Sequence, residues 1–196
     1  MIIGILALQG AVREHIASLN QLGVESRVVK TEKDLEGLSG LILPGGESTA
    51  ISLLANDGFL HRLKELARSG FPMFGTCAGM ILLASAIEGR DSGYTGVIDI
   101  AVARNASGRQ VDSFETVLDI EGIGKNVPAV FIRAPYITSH GPKVRPMASH
   151  EGWLVMARQE NILVASFHPE LTEDTRVHEY FVEMVKEIGN ERRQRP

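Results

Sequence analysis

Short apolar segments alternate with helical patterns through the first half of the chain, and this alternation limits the fold more than any other feature. Ile2 to Leu8 is a continuous apolar run, as expected for a strand covered on both faces of a sheet. Residues 11 to 22 place apolar side chains on one helical stripe, and Gly23 follows as a predicted C-terminal cap. Val24 to Val29 and Leu41 to Leu43 are the next predicted strands.

The same alternation continues to residue 87. Phe59 to Ala67 repeats apolar residues at helical spacing, Pro72 to Phe74 leads as a strand into Cys77, and Met80 to Ile87 is predicted as a helix. Strands separated by helices predict a doubly wound, mainly parallel sheet flanked by helices. Ligands of such sheets bind where the carboxyl ends of the strands meet the following loops. Gly45-Gly46 and Cys77 both fall at such ends.

The second half is richer in short β segments. Gly, Pro and Asn separate these segments, which favours antiparallel pairs added to the parallel core. The segments are residues 97–98, 117–118, 130–132, 153–155 and 162–164. A closing helix is predicted over residues 174 to 188, with a frayed tail at 190–196. No repeat or low-complexity linker divides the sequence, so we expect a single α/β domain over residues 1–196.

Composition limits the classes of partner and the compartment. The formal net charge of −4 and the pI near 5.9 argue against nucleic-acid binding, which needs a basic face. The apolar N-terminus lacks a preceding basic region and is predicted to be a strand, and no apolar run is long enough to span a bilayer. A single cysteine fits a reducing compartment, so we expect a cytoplasmic protein.

That single cysteine, Cys77, lies in Gly75-Thr76-Cys77-Ala78-Gly79. One interpretation is a small buried hydrophobe, which is a common role for a free cysteine. The other is a nucleophile on a tight strand-to-helix turn, where small flanking residues permit a sharp elbow and free helical amides favour a thiolate. The spacing alone does not decide between them.

His168 is the histidine whose surroundings best fit a general base. It ends the apolar run Ile162 to Phe167, and Glu170 two residues later can reach its ring and fix its tautomer. The alternative is a loop histidine bonded for structural reasons. The helical patterns around His15, His61 and His178 predict solvated side chains instead. No Cys-x-x-Cys or His-Glu-x-x-His pattern accompanies these residues, so no metal site is expected.

An attack on a carbonyl also needs donors for the developing oxyanion, and backbone amides serve this purpose without reorganising. The amide of Ala78 follows the candidate nucleophile directly. The Gly45-Gly46 loop is the second candidate, and a simple turn is the alternative interpretation of that loop.

Three segments resemble the signature segments of class I, triad-type glutamine amidotransferases. They are Pro44-Gly45-Gly46-Glu47-Ser48, Gly75-Thr76-Cys77-Ala78-Gly79 and Phe167-His168-Pro169-Glu170. Further segments resemble one branch of that family, the glutaminase subunits of ribose 5-phosphate-dependent pyridoxal 5′-phosphate synthase: residues 8–15, 103–115, 131–135 and 166–185. The segment 103–115 discriminates most, because a generic glutaminase would supply the triad but not Arg-Asn-x-x-Gly-Arg-Gln.

The resemblance implies a role for each matching residue. Cys77 attacks the side-chain amide of L-glutamine and forms a γ-glutamyl thioester, His168 moves the protons, and Glu170 orients His168. Gly46 and Ala78 match the oxyanion donors. The glutamine-binding positions of the family correspond to Gly46, Glu47, Ser48, Arg104, Ile132 and Arg133.

Two positions need separate comment. Gln9 ends the first strand beside the predicted site, where it could set the oxyanion loop, touch a partner or cap buried polar groups. Tyr136 stands where the family often has a histidine, which affects the expected partner contacts and leaves the triad unchanged.

The resemblance also implies a partner and no cofactor. Ammonia would pass through a channel to a (β/α)8-barrel synthase subunit, and pyridoxal 5′-phosphate would be the product of the complex. The glutaminase is expected to be slow until this partner docks. The alternatives are a glutaminase subunit of another synthase such as imidazole glycerol phosphate synthase, a related hydrolase or peptidase, and a non-catalytic regulatory module of the same fold.

Overall fold

A ten-stranded sheet forms the centre of the computed structural model, which describes residues 1–7, 10–46, 57–90, 92–104 and 113–194. The strands of this described part are β1 (Ile2–Leu6), β2 (Glu25–Val29), β3 (Gly40–Leu43), β4 (Met73–Thr76), β5 (Ala84–Ile87), β6 (Ile98–Ala103), β7 (Phe114–Ile120), β8 (Gly124–Phe131), β9 (Tyr136–His140), β10 (Arg145–His150), β11 (Trp153–Gln159) and β12 (Ile162–Ala165). Strands β7 and β8 pair with each other as a separate antiparallel ribbon.

The large sheet has a parallel half and a mostly antiparallel half. Its order is β2-β1-β3-β4-β12-β11-β9-β6-β5, with β10 paired to β11. The pairs from β2 to β12 are all parallel, whereas β12-β11, β11-β9, β9-β6 and β10-β11 are antiparallel and β5-β6 is parallel. The predicted α/β class, a mainly parallel sheet with antiparallel strands added from the second half, is confirmed.

Helices cover both faces of the parallel half. They are α1 (Val12–Gln21), α2 (Asp57–Arg68), α3 (Ala78–Leu83) and α4 (Arg176–Gln194), with short 3-10 helices at Glu32–Leu35 and Pro169–Leu171. Successive strand residues point to opposite faces, so Leu41 packs in the same core as Leu63 of α2, whereas Ile42 packs with Leu19 of α1 and Phe181 of α4. The two cores lie on opposite sides of the sheet.

The prediction of one helix over Met80 to Ile87 is wrong in its second half. Helix α3 ends at Leu83, and Ala84 adopts extended backbone with φ −60° and ψ 147°. The next residues form β5, because they pair in parallel with β6 and bury Ala84 and Ile87. This long-range pairing overrides the local helical pattern.

One other difference concerns the second half. Strands β9 and β10 were not among the predicted β segments. Helix α4 continues to Gln194, and Arg192 on its last turns donates a hydrogen bond to the Ser69 carbonyl. The expected fraying of residues 190–196 stays a prediction. The prediction of a single domain over residues 1–196 stays a prediction.

No helix in the described ranges combines the length and apolar character that crossing a membrane requires.

Candidate active site

Cys77 occupies a strained elbow between strand β4 and helix α3. Its backbone has φ 50° and ψ −108°, a region that residues with a side chain seldom adopt. The Cys77 amide donates to the Ala165 carbonyl at 2.8 Å, which fixes the elbow to the carboxyl end of β12. The side chain is largely buried, with 9% of the residue exposed.

The small residues around Cys77 allow this elbow to pack against the neighbouring strand. A Cβ added to Gly79 would collide with the Leu43 carbonyl oxygen, and one added to Gly75 would lie 2.6 Å from the Gly79 carbonyl oxygen. Helix α3 therefore approaches strands β3 and β4 more closely than any side chain would permit. The Gly-x-Cys-x-Gly spacing has a steric cause.

His168 and Glu170 follow the adjacent strand β12. The His168 amide donates to the Val130 carbonyl at 2.8 Å, and its ring Nδ1 lies 2.8 Å from Oε1 of Glu170. Both residues are buried. The expected contact is present, but it forms because Pro169–Leu171 is a 3-10 turn, and not across an extended backbone as the sequence suggested.

Gly45 lies between Cys77 and His168. A Cβ at Gly45 would be 2.9 Å from Cys77 Cβ and 2.5 Å from His168 Cε1, so the Cys77 side chain and the His168 ring both lie against this residue. The Gly45 amide donates to Thr76 Oγ1 at 3.2 Å. The interpretation of Cys77 as a cysteine isolated within apolar packing is therefore not supported.

The electrostatics of the His168 ring follow from these contacts. Burial lowers the imidazole pKa, but the hydrogen bonds with Cys77 and Glu170 and the negative charges of both partners outweigh burial and raise the pKa of His168 to about 10. A raised pKa favours the form in which the thiol proton resides on the ring. The arrangement is suited to an activated thiolate.

Two histidines that were predicted to be solvated are fully buried next to this site. His15 on α1 and His178 on α4 both have 0% exposure, and His15 Nδ1 lies 2.9 Å from His178 Nε2. Sequence reasoning missed them although a signal existed. Each lies on the apolar stripe of its helix, since His15 precedes Leu19 by four residues and His178 precedes Phe181 by three.

The predicted oxyanion donors lie at the two loops that meet at Cys77. Ala78 is the first residue of α3, where backbone amides have no acceptor within the helix. Gly46 follows Gly45 directly and is exposed. Gln9, Glu47 and Ser48 lie outside the described residues.

The remaining predicted glutamine contacts lie farther along the chain. Ile132 and Arg133 follow β8, two and three residues after the Val130 carbonyl that accepts from His168, and Arg133 is exposed with a left-handed φ of 44°. Arg104 follows β6; its Nη2 donates to the Tyr94 hydroxyl at 2.9 Å. Its Nε is buried with no hydrogen-bond partner among the described residues. Tyr136 is buried at the start of β9.

Solved structures resemble this fold over nearly its full length. A structure described as "Crystal structure of glutamine amidotransferase" superposes with a TM-score of 0.88 and 46% identity, covering 95% of this chain and all of the other. The "Structure of PurLQS from Thermotoga maritima" has a TM-score of 0.70 at 16% identity, a likeness of fold alone, over 93% of this chain and 97% of the other.

Curated relatives match with similar coverage. Proteins named "Pyridoxal 5′-phosphate synthase subunit PdxT" from Brevibacillus brevis and Fervidobacterium nodosum are 51% and 52% identical, each over 95% of this chain and 98% of the relative. One from Bacillus cereus is 54% identical over 94% of this chain and 95% of the relative. The SNO glutamine amidotransferase family matches residues 5–187, and the chain belongs to this family.

Proposed function

We propose that the chain is the glutaminase subunit of a pyridoxal 5′-phosphate synthase and that Cys77, His168 and Glu170 are its catalytic residues. The observation that carries the assignment of residues is the approach of Cys77 and His168 over Gly45, with Glu170 hydrogen-bonded behind the ring. Membership of a glutamine amidotransferase family supplies the substrate class, a carboxamide.

The proposed reaction has two stages, each with a balanced proton transfer. The Cys77 thiolate attacks the side-chain carbonyl carbon of L-glutamine, and His168 donates its proton to the amide nitrogen as the C–N bond breaks. Ammonia leaves and a γ-glutamyl thioester remains. Neutral His168 then takes a proton from water, the hydroxide attacks the thioester carbonyl, and the C–S bond breaks to give L-glutamate and the thiolate–imidazolium pair.

The negative charge that develops on the attacked carbonyl oxygen needs donors near Cys77. The amide of Ala78 is adjacent to the nucleophile, and the amide of Gly46 lies on the loop that carries Gly45. We assign these two amides to the oxyanion hole, since preorganised backbone donors are an effective means of stabilising such charge.

Substrate binding is assigned to two sets of residues. Glu47 and Ser48 follow Gly46 in the sequence, and Ile132 and Arg133 follow the strand end that contacts His168. Arg104 is assigned to the α-carboxylate of glutamine, because a buried guanidinium Nε without a partner among the described residues would gain a charge-assisted bond there.

The chemistry of ammonia, the product of the proposed reaction, indicates what kind of partner the chain needs. It is mostly protonated in neutral water and would lose its nucleophilicity on release, so its use requires direct delivery. The matched relatives are named as synthase subunits. We therefore assign to this chain a (β/α)8-barrel synthase partner, which receives ammonia through a channel and condenses it with ribose 5-phosphate and glyceraldehyde 3-phosphate.

The glutaminase steps use side chains and water and need no cofactor. Cytoplasmic placement is supported by the single free thiol, which fits a reducing compartment. The names of the relatives favour this synthase over imidazole glycerol phosphate synthase. The paired Cys77, His168 and Glu170 argue against a non-catalytic module.

Covalent labelling with a glutamine-shaped diazo-ketone tests this function. The full chain and Cys77→Ser are treated with and without the barrel subunit, and the adduct is located by mass spectrometry. The expected result is labelling at Cys77 that increases with the partner, no labelling in Cys77→Ser, and glutamate release that also depends on the partner. Full-rate hydrolysis without the partner would contradict the expected activation of the glutaminase by its partner. Hydrolysis by Cys77→Ser would contradict the assignment of Cys77 as the nucleophile.

A further inference from the structure

The second carboxylate oxygen of Glu170 faces a buried histidine. Oε1 is occupied by His168, whereas Oε2 lies 3.5 Å from His15 Nε2 and has no hydrogen-bond partner among the described residues. Both the Glu170 and the His15 side chains have 0% exposure. A buried carboxylate oxygen that lacks a donor is unfavourable, so the contact with His15 matters energetically.

His15 is in turn paired with His178. His15 Nδ1 lies 2.9 Å from His178 Nε2, and the outer nitrogen of His178, Nδ1, has no partner among the described residues. Phe74 packs edge-on against His178, with the ring centroids 6.3 Å apart. The side chains form a row that begins at His178, passes through His15 and Glu170, and ends at His168.

The tautomers in this row follow from where protons can be accommodated. If His178 carried its proton on Nδ1, a buried N–H donor would have no acceptor among the described residues, which costs more than an unused lone pair. With the proton on Nε2, His178 donates to His15 Nδ1. His15 must then carry its own proton on Nε2, the nitrogen that faces Glu170.

The alternative tautomer of His15 is unfavourable for a second reason. A lone pair on Nε2 would face the Glu170 carboxylate at 3.5 Å, and like partial charges would repel. The Thr76 hydroxyl, also 3.5 Å from Nε2, accepts from the Gly45 amide; if Nε2 were unprotonated, the Thr76 O–H would donate to it, but Oε2 of Glu170 would still have no donor. Among the described contacts, only the Nε2–H form of His15 gives Oε2 of Glu170 a donor.

Both histidines remain neutral at physiological pH. Burial, together with the neighbouring His178 and His168, lowers the pKa of His15 well below its ordinary value, and burial lowers the pKa of His178 to about 4. The row therefore supplies an oriented N–H dipole to Glu170 and no additional positive charge. No group of three or more His, Cys, Asp and Glu among the described residues has a metal-binding arrangement, so the row does not resemble a metal site.

We propose that His178 and His15 are positioning residues of the glutaminase: His178 fixes the tautomer of His15, and the Nε2–H of His15 holds Oε2 of Glu170 so that Oε1 stays directed at His168. The inference rests on the proposed function, since it assigns a role to His15 only through Glu170 and His168. The 3.5 Å separation is long for a hydrogen bond, and catalytic contacts of this kind commonly shorten when substrate binds.

Nitrogen-15 NMR of the unmodified chain tests the tautomers directly. The expected spectrum has both His15 and His178 neutral at pH 7 with the proton on Nε2. A proton on Nδ1 of His15 would overturn the proposal, whatever the activity of the enzyme. This measurement does not depend on whether glutamine is the substrate.

Substitutions at His15 test the effect on catalysis in the complex with the barrel subunit. His15→Leu removes the donor, and His15→Gln keeps an amide N–H near the position of Nε2. We expect His15→Leu to lower kcat about 10-fold, to change KM by less than about twofold, and to shift the His168 titration to lower pH. His15→Gln should recover most of the lost kcat and most of the shift in the titration. His61→Leu, on the exposed face of α2, is the matched control and should behave as the unmodified enzyme.

The same two substitutions at His178 provide a second test in case a His15 variant fails to fold. His178→Gln should retain the donor to His15 and His178→Leu should reproduce the effect of His15→Leu. Unchanged kcat and an unchanged His168 titration in both folded leucine variants would overturn the proposal. If the unmodified complex itself releases no glutamate, the proposed function fails first, and the NMR result alone then decides the tautomers.

Discussion

His168 Nδ1 and Glu170 Oε1 lie 2.8 Å apart in a buried pair, and this contact acts together with Cys77 on the protonation of the active-site ring. Burial alone would make His168 neutral. Its pKa is instead raised to about 10, because the hydrogen bonds and charges of Cys77 and Glu170 favour the imidazolium. The carboxylate therefore supports the positive charge that the thiolate requires.

Glu170→Gln should lower the pKa of His168. The amide keeps the shape of the carboxylate but removes its charge, so the imidazolium loses one of its two stabilising partners. The measurement is an NMR titration of the His168 ring in the full chain, with His61 as an internal exposed reference. A His168 pKa unchanged by the substitution would mean that Glu170 does not tune the ring.

The same contact makes stability depend on pH. A group whose pKa is raised by folding stabilises the native state fully below its unfolded pKa, near 6.5, and this stabilisation is lost as pH rises towards the folded value of about 10. The Tm of the unmodified chain should therefore fall between pH 7 and pH 10 more steeply than that of Glu170→Gln. Parallel Tm curves for the two proteins would contradict this origin of the shift.

Gly45→Ala should inactivate the enzyme by steric conflict. The new Cβ would lie 2.5 Å from His168 Cε1 and 2.9 Å from Cys77 Cβ, distances that force the thiol and the ring apart. We expect a loss of about 1–3 kcal/mol in the free energy of unfolding, as for overpacked sites, and a drop in kcat of more than about 100-fold, as follows from misplaced reacting groups. Urea unfolding and glutamate release measure the two effects.

Gly189→Ala is the matched control for Gly45→Ala. Gly189 lies within α4, and a Cβ there would meet nothing within 4 Å. The same chemical change should leave kcat unaltered and stabilise the protein by about 0.5–1 kcal/mol through helix propensity. Equal destabilisation by both substitutions would show that contact with the catalytic pair is not the cause.

Much of the parallel half of the fold could be predicted from sequence. The runs at Ile2–Leu6 and Leu41–Leu43 are apolar because both faces of their strands are covered, so their strand character is encoded locally. Val24–Val29 differs, since three polar residues interrupt it and its strand β2 lies at the partly exposed edge of the sheet. The segment Ala84–Ile87 is different. Its strand depends on pairing with residues 98–102, and no local pattern distinguishes it from the end of a helix.

The position of Cys77 and His168 could be predicted from the order of the strands, but contacts made by the helices could not. Cys77 and His168 each end an apolar strand, and the ends of parallel strands meet at one edge of the sheet. The contact of His15 with Glu170, and that of His178 with His15, were not predictable in this way. His15 and His178 are separated by 163 residues and meet only because α1 and α4 cover the same face of the sheet.

Arg104→Gln should weaken glutamine binding more than it slows catalysis. The proposed bond between its guanidinium and the substrate carboxylate is charge-assisted, so its loss should raise KM by about 10- to 100-fold, corresponding to about 1.5–3 kcal/mol. Steady-state kinetics in the complex measure the change. Arg62→Gln, an exposed arginine on α2, is the control and should keep the original KM. A reduced kcat at unchanged KM would exclude a substrate-binding role for Arg104.

Replacing Cys77 should separate its catalytic role from its strained backbone. Cys77→Ala and Cys77→Gly both remove the nucleophile and should lower glutamate release by roughly 10⁴-fold or more, as for other covalent nucleophiles.

The Cys77→Ala and Cys77→Gly variants should differ in stability, because φ 50° with ψ −108° strains alanine but not glycine. Relief of that strain should make Cys77→Gly about 1 kcal/mol more stable than Cys77→Ala despite the larger entropy of glycine in the unfolded chain. Ala67→Gly within α2 is the control, because glycine in place of alanine at this helical position should lower the free energy of unfolding by about 1 kcal/mol. Urea unfolding of the three variants measures these differences, and a Cys77→Gly less stable than Cys77→Ala would mean that the elbow stores no strain.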